Sequence, residues 1–408
     1  MVRASPWWWL PIEVLSGAPR GQPQRLRGVR ATSSNSLFTA DHQALRLAIR
    51  SYVEKELAPH AQEWDEAGHF PDSVFTRMGE LGYLGLSYPV EYGGQGGDYL
   101  CSIVLAEELA RCESGSVVMA VGVQTDMATT PVAKFGTHEQ KLAYLAPAIK
   151  GEKIASLGIT EPDSGSDVAA IATRARRDGD GWVINGRKMF ITNGARSSYC
   201  VLLARTGESY SLFIVDKGLP GFTVARTLDK VGMRASDTAE LVLDEVRVPG
   251  SALLGEEGRG FYNIMWELQG ERLVAAAGTV AGAALTLEMA IAYAKERKAF
   301  GVPIAKHQVI AHLLADLATR VEACRQLVYW GAWLVEKGEY PVREISMAKL
   351  SAGRIGFEVA DACMQVFGGY GYSMEFGVQR AWRDSRLARI GGGTDEVMLE
   401  VIGRTEGL

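Results

Sequence analysis

The spacing of hydrophobic residues changes twice along the chain and divides it into three regions. Over residues 41–150 apolar side chains recur at the three-to-four-residue spacing of buried helix faces. Over residues 154–248 the pattern becomes short, strand-like runs such as YCVLLAR and SYSLFIVD, separated by Gly, Pro and Asp. From about residue 255 the helical spacing returns in long segments. These segments are predicted at 258–297, 303–337 and 341–368, with a final helix from Thr394.

This pattern predicts an α+β protein with a helical domain, a β domain and a second helical domain in that order. A chain of 408 residues is long enough to bury several cores. We place the boundaries at 37–153 for the N-terminal helical domain, 154–252 for the β domain and 253–408 for the C-terminal helical domain, after an extension over 1–36.

Composition narrows the class of protein. Apolar residues make up 47% and charged residues 22%, as in an ordinary soluble enzyme. The net charge of −5 and the lack of a Lys/Arg run argue against a nucleic-acid binder. The five cysteines are scattered without a CxxC motif, and the six histidines form no HExxH motif, so we expect no metal site.

Two segments bear on where the protein is located in the cell. Residues 1–36 contain five arginines, five serines and one acidic residue, which fits either a mitochondrial targeting peptide or a disordered bacterial N-terminus. The compartment is therefore left open between the mitochondrial matrix and the bacterial cytoplasm. The apolar run 273–294 has the length of a membrane span, but it contains Glu288 and many Gly and Ala residues, so we interpret it as a buried helix.

Four segments are candidates for chemistry. LGITEPDSGSD (157–167) is a tight turn rich in N–H groups and hydroxyls. KMFITNGA (188–195) places Phe190 and Thr192 on one strand face by alternation, where an aromatic wall and a hydroxyl suit a flat heteroaromatic ring. An ordinary loop and an ordinary strand edge are the alternatives. The other two segments are ERKAFGVPIAKHQ (296–308) and QVFGGYGYSMEFGVQRAWRDSRLARIGGGTDEVM (365–398).

These four segments, in this order, resemble the signatures of the acyl-CoA dehydrogenase family over residues 37–405. The resemblance implies a subunit with an N-terminal helical domain, a central β domain and a C-terminal four-helix bundle. It also implies a homotetramer built as a dimer of dimers, FAD as cofactor, an acyl-CoA substrate and electron-transfer flavoprotein as electron acceptor.

The resemblance also implies site residues. Those expected to contact FAD are Leu157, Ile159, Thr160, Ser166, Phe190, Thr192, Arg297, Phe300, Gln308, Gln365, Gly368, Gly369, Thr394 and Glu396. Arg297, Phe300 and Gln308 would reach the FAD of a neighbouring subunit, and Phe190 stands where the family usually has Trp. Those expected to contact substrate are Ser166, Leu268, Arg272 and Gly393.

The catalytic base departs from the usual family pattern. The family's loop glutamate is replaced by Gly392, which retains an N–H group to stabilise an enolate oxygen but has no carboxylate. The long-chain and isovaleryl-CoA dehydrogenases, which this chain resembles here, take the base from a helix, and the matching residue is Glu271. Glu271 falls on a largely apolar helix stripe with Ile264, Leu268, Val274 and Ala275, and Gly278 would leave room beside it. Glu267, one turn earlier, interrupts that stripe and is the competing base.

The resemblance implies α,β-dehydrogenation of acyl-CoA to trans-2-enoyl-CoA. We expect a medium or long straight acyl chain, because the segment after Val123 suggests few bulky residues at the base of the pocket. A branched substrate of the isovaleryl or citronellyl type is the alternative. A flavin oxidase on the same fold and a non-catalytic scaffold that has lost its base are the other hypotheses.

Overall fold

A computed structural model of the protein describes residues 37–408, and the predicted extension over 1–36 lies outside these described residues. The three-region order predicted from the hydrophobic pattern is confirmed. Helices precede residue 150, strands occupy 155–254, and helices follow from residue 260.

The first region is a set of short helices around an apolar core. Thr39 and His42 form a reciprocal capping box that fixes the start of the first helix, and Ile49, Phe75 and Met78 are fully buried between helices. The helices are α1 Ala40–Tyr52, α2 Ala61–Ala67, α3 Ser73–Glu80, α4 Tyr99–Leu109, α5 Gly115–Gly122, α6 Thr129–Phe135, α7 His138–Gln140 and α8 Ala146–Ile149.

Wider π-helical turns interrupt this region at Val53–Leu57, Val123–Ala128 and Lys141–Leu145. Such turns occur often at functional sites, because the extra residue redirects side chains. The segment Val123–Ala128, referred to below as the π segment, packs against the first helix of the C-terminal domain.

The central region is an eight-stranded, mostly antiparallel sheet in the order β6-β7-β3-β2-β4-β5-β8, with β1 pairing in parallel with β4. Leu254 of β8 is fully buried beside β5, so the sheet extends two residues beyond the boundary predicted at 252. The strands are β1 Ala155–Gly158, β2 Arg174–Asp178, β3 Gly181–Thr192, β4 Tyr199–Thr206, β5 Ser209–Asp216, β6 Phe222–Thr227, β7 Thr238–Val248 and β8 Leu253–Leu254. A separate two-stranded ribbon follows later, formed by β9 Lys298–Ala299 and β10 Val302–Pro303.

Strand β3 is irregular at the place where side chains were expected to alternate between the two faces of the sheet. Its pairing with β7 shifts register between Lys188 and Ile191, and Phe190 has a φ of 61°. Lys188 is fully buried while Phe190 is 65% exposed. The two-residue period therefore breaks between Lys188 and Phe190, while exposure still alternates over Phe190, buried Ile191 and half-buried Thr192.

The C-terminal region is built on three long helices, α9 Gly260–Glu296, α10 Gln308–Glu336 and α11 Val342–Phe367, followed by α12 Gly377–Ser385 and α13 Asp395–Thr405. Helices α10, α11 and α4 pack along α9, and the apolar core between them includes Leu273, Leu317 and Val359.

Helix α9 is the one helix in residues 37–408 that is long and apolar enough to cross a membrane. It packs as a core helix, since many of its small residues, including Ala276, Ala277 and Ala283, are buried against neighbouring helices. It also buries the charged residues Glu271 and Arg272.

Asp384 ties the three regions together. Its carboxylate accepts hydrogen bonds from the backbone N–H of Gly115 at 3.0 Å and of Met233 at 2.5 Å, which lie at the start of α5 and in the β domain. The adjacent Arg383 donates to buried Asp65 of α2 at 2.6 Å. The sequence motif WRDSR indicates that Asp384 and Arg383 hold a helix and a loop together, and the structure shows that their contacts also join the other two regions.

We expect Asp384→Ala to lower the free energy of unfolding by about 2–4 kcal/mol, because it leaves two backbone N–H groups without acceptors. Urea unfolding monitored by circular dichroism measures this. Asp361→Ala is the matched control, since Asp361 is exposed and accepts only the indole N–H of Trp382. Equal loss in the two variants would contradict the interdomain role.

Candidate active site

The two residues predicted to be catalytic lie side by side, although 121 positions separate them in the sequence. Glu271 is buried on α9, and Gly392 lies in the loop before α13. A Cβ atom placed on Gly392 would lie 3.1 Å from Oε1 of Glu271, and the other nearest atom belongs to Lys349. The Glu271 carboxyl group therefore occupies the space that a side chain from the loop would need.

Two buried cations hold the glycine loop against α9. The Nε–H of Arg272 donates to the carbonyl oxygen of Gly392 at 2.9 Å, and the ammonium group of Lys349 on α11 donates to the carbonyl oxygen of Gly393. Thr394 caps α13 by accepting the N–H of Val397 at 3.3 Å. The predicted substrate residues Arg272 and Gly393 thus form part of one structural unit with Glu271 and Gly392.

The Gly392 N–H donates to no group among residues 37–408, although its carbonyl is bound by Arg272. Gly392 has a φ of 65°, a backbone conformation that glycine adopts with little strain. A free N–H beside a carboxylate is the arrangement that an oxyanion donor and a base would require.

Burial raises the pKa of Glu271, and the charges of Arg272 and Lys349 partly oppose that rise. Burial likewise lowers the pKa of Lys349, to about 8, with Asp395 and Glu271 acting against it and Arg272 adding to it. A carboxyl group whose pKa is raised in this way is suited to accept a proton near neutral pH.

The competing carboxyl group, Glu267, is also buried, at 2% exposure. No donor among residues 37–408 forms a hydrogen bond to either of its oxygens. Burial, and next the neighbouring Glu271, raise the pKa of Glu267 well above its ordinary value. Burial also raises the pKa of Asp126, in the π segment, to about 6.

The apolar stripe predicted around Glu271 is present in part. Ile264 and Val274 are buried, Leu268 is half-buried and Ala275 is exposed. Gly278 does not open space beside the base. A Cβ atom there would make ordinary contacts with the carbonyl oxygen of Ala106 at 3.6 Å and with the Val118 side chain at 3.7 Å, so this glycine faces α4 and α5 instead of the base.

The cofactor residues predicted in the β domain come together at the ends of β1 and β3. Leu157 is half-buried in β1, and Ile159 and Thr160 follow it directly. The N–H of Met189 donates to the carbonyl oxygen of Thr160 at 2.8 Å, which places this segment beside Phe190. Two further members, Thr192 at the end of β3 and the exposed Ser166, complete this group.

A buried ion pair that was not predicted from the sequence holds the end of β1 and strand β3 together. The ammonium group of Lys188 lies 2.8 Å from the Glu161 carboxylate and donates to the carbonyl oxygen of Ile159 at 3.0 Å. Glu161 also accepts the N–H groups of Ala172 and Thr173. Glu161 lies in the candidate motif TEPD and Lys188 in KMFI, so their presence in these motifs was the sequence feature that could have indicated the pair.

Two predicted FAD contacts are strained, exposed aromatic residues. Phe190 has a φ of 61° and is 65% exposed, while Phe300 has a φ of 54° and is 97% exposed. A bulky residue in the left-handed region is unusual and is held there at a cost in free energy. Exposed rings in such conformations fit a role in covering a flat ligand or a neighbouring chain.

Three of the remaining predicted cofactor residues line a groove at the far end of α9 and α11. The groove has a volume of about 580 Å³, and Arg297, Gly368 and Gly369 line it with Tyr370. No atom lies within 4 Å of a Cβ placed on either glycine, so a ligand can approach the backbone N–H groups closely. The other members are all exposed near the ends of their helices: Gln308 on α10, Gln365 on α11 and Glu396 on α13.

One cluster of metal-ligand types also occurs, formed by His42, Asp98 and Cys101. The Nδ1 atom of His42 accepts the backbone N–H of Thr39, so Nε2 carries the proton and donates to Asp98 at 2.8 Å. Neither ring nitrogen then has a lone pair to offer. The cluster acts as a hydrogen-bonded link between α1 and the start of α4.

Comparison with known proteins shows which protein family the chain matches. The chain matches the family models described as acyl-CoA dehydrogenase N-terminal domain over residues 39–152, middle domain over 156–246 and C-terminal domain over 258–406.

Curated relatives with different substrate names are similarly close. The chain is 39% identical to the short-chain specific acyl-CoA dehydrogenase of Clostridium acetobutylicum over 371 residues, covering 90% of this chain and 97% of the relative. It is 37% identical to the mouse long-chain specific enzyme over 375 residues, covering 90% and 87%. It is 36% identical to the isovaleryl-CoA dehydrogenase of Oryza sativa over 403 residues, covering 97% of each.

Solved structures share the fold. A glutaryl-CoA dehydrogenase from Mycobacterium smegmatis, solved in complex with FADH2, is 31% identical with a TM-score of 0.87 and coverage of 92% and 96%. A chain from a study of the electron transferring flavoprotein of Acidaminococcus fermentans is 38% identical with a TM-score of 0.88 and coverage of 92% and 99%.

The helical, β and helical regions and the carboxylate beside a glycine loop define a three-domain oxidoreductase subunit. The chain belongs to the acyl-CoA dehydrogenase family, and the fold predicted from its motifs is confirmed.

We expect Gly392→Ala to lower the free energy of unfolding by about 1 kcal/mol and to impair turnover, because the added Cβ would be strained and would press on Glu271. Thermal melting and steady-state turnover measure the two effects. Gly391→Ala is the control, since its Cβ would meet nothing closer than 3.8 Å. A Gly392→Ala variant with unchanged turnover would contradict the contact.

Proposed function

We propose that the protein catalyses FAD-dependent α,β-dehydrogenation of an acyl-CoA thioester to the trans-2-enoyl-CoA, with Glu271 as the base. The observation that carries this proposal is the contact between Glu271 and Gly392, which places a buried carboxyl group where the loop itself has none. This placement also argues against a scaffold that has lost its base.

Glu271 removes the α-proton of the acyl group. The α-proton is weakly acidic, so the thioester carbonyl must be polarised as the proton leaves. The free N–H of Gly392 serves as a donor to the developing enolate oxygen, and Arg272 holds that peptide in place through its carbonyl.

The flavin, when bound, supplies the acceptor for the hydride from the β-carbon. The residues present fit such a group. Phe190 offers an exposed ring with Thr192 close by on the same strand, and Gly368 and Gly369 offer a backbone open to a pyrophosphate in the groove beside Arg297. Exposed Phe300 and Gln308 lie on the segment that would reach a neighbouring subunit's cofactor in a homotetramer.

We propose electron-transfer flavoprotein as the electron acceptor, supported by the likeness to a chain studied together with such a protein. A flavin oxidase is the alternative for this half-reaction. Hydrogen peroxide formed in stoichiometric amount with enoyl-CoA in air would favour the oxidase.

We expect Glu271→Gln to slow reduction of the bound flavin by about 10²–10⁴-fold, because the amide cannot accept the α-proton. Anaerobic bleaching of the long-wavelength flavin band by palmitoyl-, octanoyl- and isovaleryl-CoA measures the rate. Flavin content and thermal melting of the variant check that the site is otherwise intact. Bleaching at the wild-type rate in Glu271→Gln would assign the base elsewhere, with Glu267 next in line.

For the substrate we propose a medium or long straight acyl chain, with a branched acyl group as the second candidate. The exposed Ala275, one turn after Glu271, is a small side chain beside the base and leaves room for the acyl group. The short-chain, long-chain and isovaleryl relatives are almost equally similar to this chain, so identity alone does not select among these substrates.

We expect kcat/KM to rise from C4 to a maximum between C8 and C16, since each buried methylene adds about 0.8 kcal/mol of binding until the pocket is filled. The measurement is steady-state turnover with even-numbered acyl-CoAs from C4 to C18 and with isovaleryl-CoA. A maximum at C4 would refute the long-chain proposal, and a maximum at isovaleryl-CoA would establish the branched alternative.

A further inference from the structure

Glu267 has no assigned role, yet its position is unusual. It lies four residues before Glu271, one turn along the same face of α9, and the two carboxyl groups are close enough that each shifts the pKa of the other. Glu267 is 2% exposed, and no donor among residues 37–408 forms a hydrogen bond to either of its oxygens. An unpartnered buried carboxyl group is costly to keep, so its presence beside the base calls for a physical explanation.

The groups around the pair come from three elements. On α9, Arg272 lies beside Glu271, and on α11 the ammonium group of Lys349 faces it. From the π segment Asp126 faces Glu267, with its own carboxylate held by the Thr125 hydroxyl at 2.5 Å. Tyr88 also approaches Glu267, but its hydroxyl donates to the carbonyl oxygen of Thr125.

The charges are therefore distributed unequally between the two carboxyl groups. Both cations favour the charged form of Glu271, whereas Glu267 is acted on by the carboxyl groups of Glu271 and Asp126 and, in the opposite direction, by Arg272. Burial raises the pKa of both carboxyl groups. The pKa of Glu267 is raised well above the ordinary range. Two neighbouring buried carboxyl groups hold one proton more readily than two negative charges, and the proton resides on Glu267.

We propose that Glu267 is a positioning residue for proton abstraction: its protonated carboxyl group donates a hydrogen bond to the Glu271 carboxylate and keeps that base ionised. This inference rests on the proposed role of Glu271. Glu267 itself touches neither the α-proton nor the thioester, and no proton leaves it during turnover.

The proposal predicts a specific pH effect. A hydrogen bond donated to a carboxylate favours its charged form, so Glu267 lowers the pKa that Glu271 would have if burial acted alone. Removing the donor raises the pKa of Glu271, and the acid limb of the kcat/KM profile then moves to higher pH. Loss of a hydrogen bond to a charged group shifts the pKa of that group by about one unit or more, and the acid limb moves by the same amount.

The experiment compares Glu267→Leu and Glu267→Gln with wild type, measuring kcat/KM for flavin reduction against pH. Glu267→Leu is expected to move the acid limb up by about one pH unit while the rate on the alkaline plateau stays near wild type. Glu267→Gln retains an N–H donor of the same shape and is expected to restore the wild-type limb. An acid limb that Glu267→Leu leaves unmoved overturns the proposal, as does a loss of rate that is equal at every pH.

Two control variants distinguish the effect of Glu267 from effects of neighbouring polar groups. Gln269→Leu removes another buried polar side chain with an unpartnered oxygen from the same helix, and it should leave the limb in place. Asp126→Asn removes the other carboxyl group that titrates in this range, and the shift caused by Glu267→Leu should persist in that background.

Infrared titration distinguishes failure of this proposal from failure of the proposed function. The difference between the carboxyl stretching bands of wild type and Glu271→Gln reports protonation of Glu271 without any substrate. Glu267→Leu should raise that titration midpoint even if no acyl-CoA tested reduces the flavin. If Glu267→Gln abolishes flavin reduction while Glu271→Gln does not, Glu267 is the base, and both this proposal and the proposed role of Glu271 are wrong.

Discussion

The active-site region depends on one arrangement, in which two buried cations bind the carbonyl oxygens of a glycine loop beside a buried carboxyl group. Arg272 and Lys349 each have one hydrogen bond to the loop and one electrostatic contact with Glu271. Burying a carboxylate alone would cost several kcal/mol, and the cations offset much of that cost. The same two side chains therefore determine where the loop lies and whether the base can be ionised.

The surrounding architecture buries this arrangement. Small residues of α9 such as Ala277 and Ala283 are buried against the neighbouring helices, and the packing of α9 on α11 places Glu271 beside the loop. Asp384 and the Glu161–Lys188 pair perform the corresponding task for the other domains. Each is a charged group whose partners are mostly backbone atoms, so each fixes the path of the chain where two segments meet.

Much of this could be predicted from the sequence, because its periodicity and motifs are local signals. The change from helical to alternating spacing marked the β domain, and the glycine at 392 together with Glu271 indicated where the base would lie. Lys349 could not be predicted, since a lysine on a helix is usually solvated and only the packing of α11 buries it. The bulge at Phe190 and the position of Gly278 away from the base could not be predicted for the same reason: both depend on neighbouring strands or helices, which the local pattern does not contain.

Placing the proposed base on a helix, and not on a loop, changes what the protein must control. A side chain on a loop is positioned by that loop, whereas Glu271 is positioned by the hydrogen-bonded backbone of α9, and the loop is left to supply an N–H group at Gly392. Glycine suits this loop position, because its φ is 65° and a Cβ there would lie 3.1 Å from the helix carboxylate. A helix also places a second residue one turn away on the same face, so the chemistry of Glu271 cannot be separated from that of Glu267.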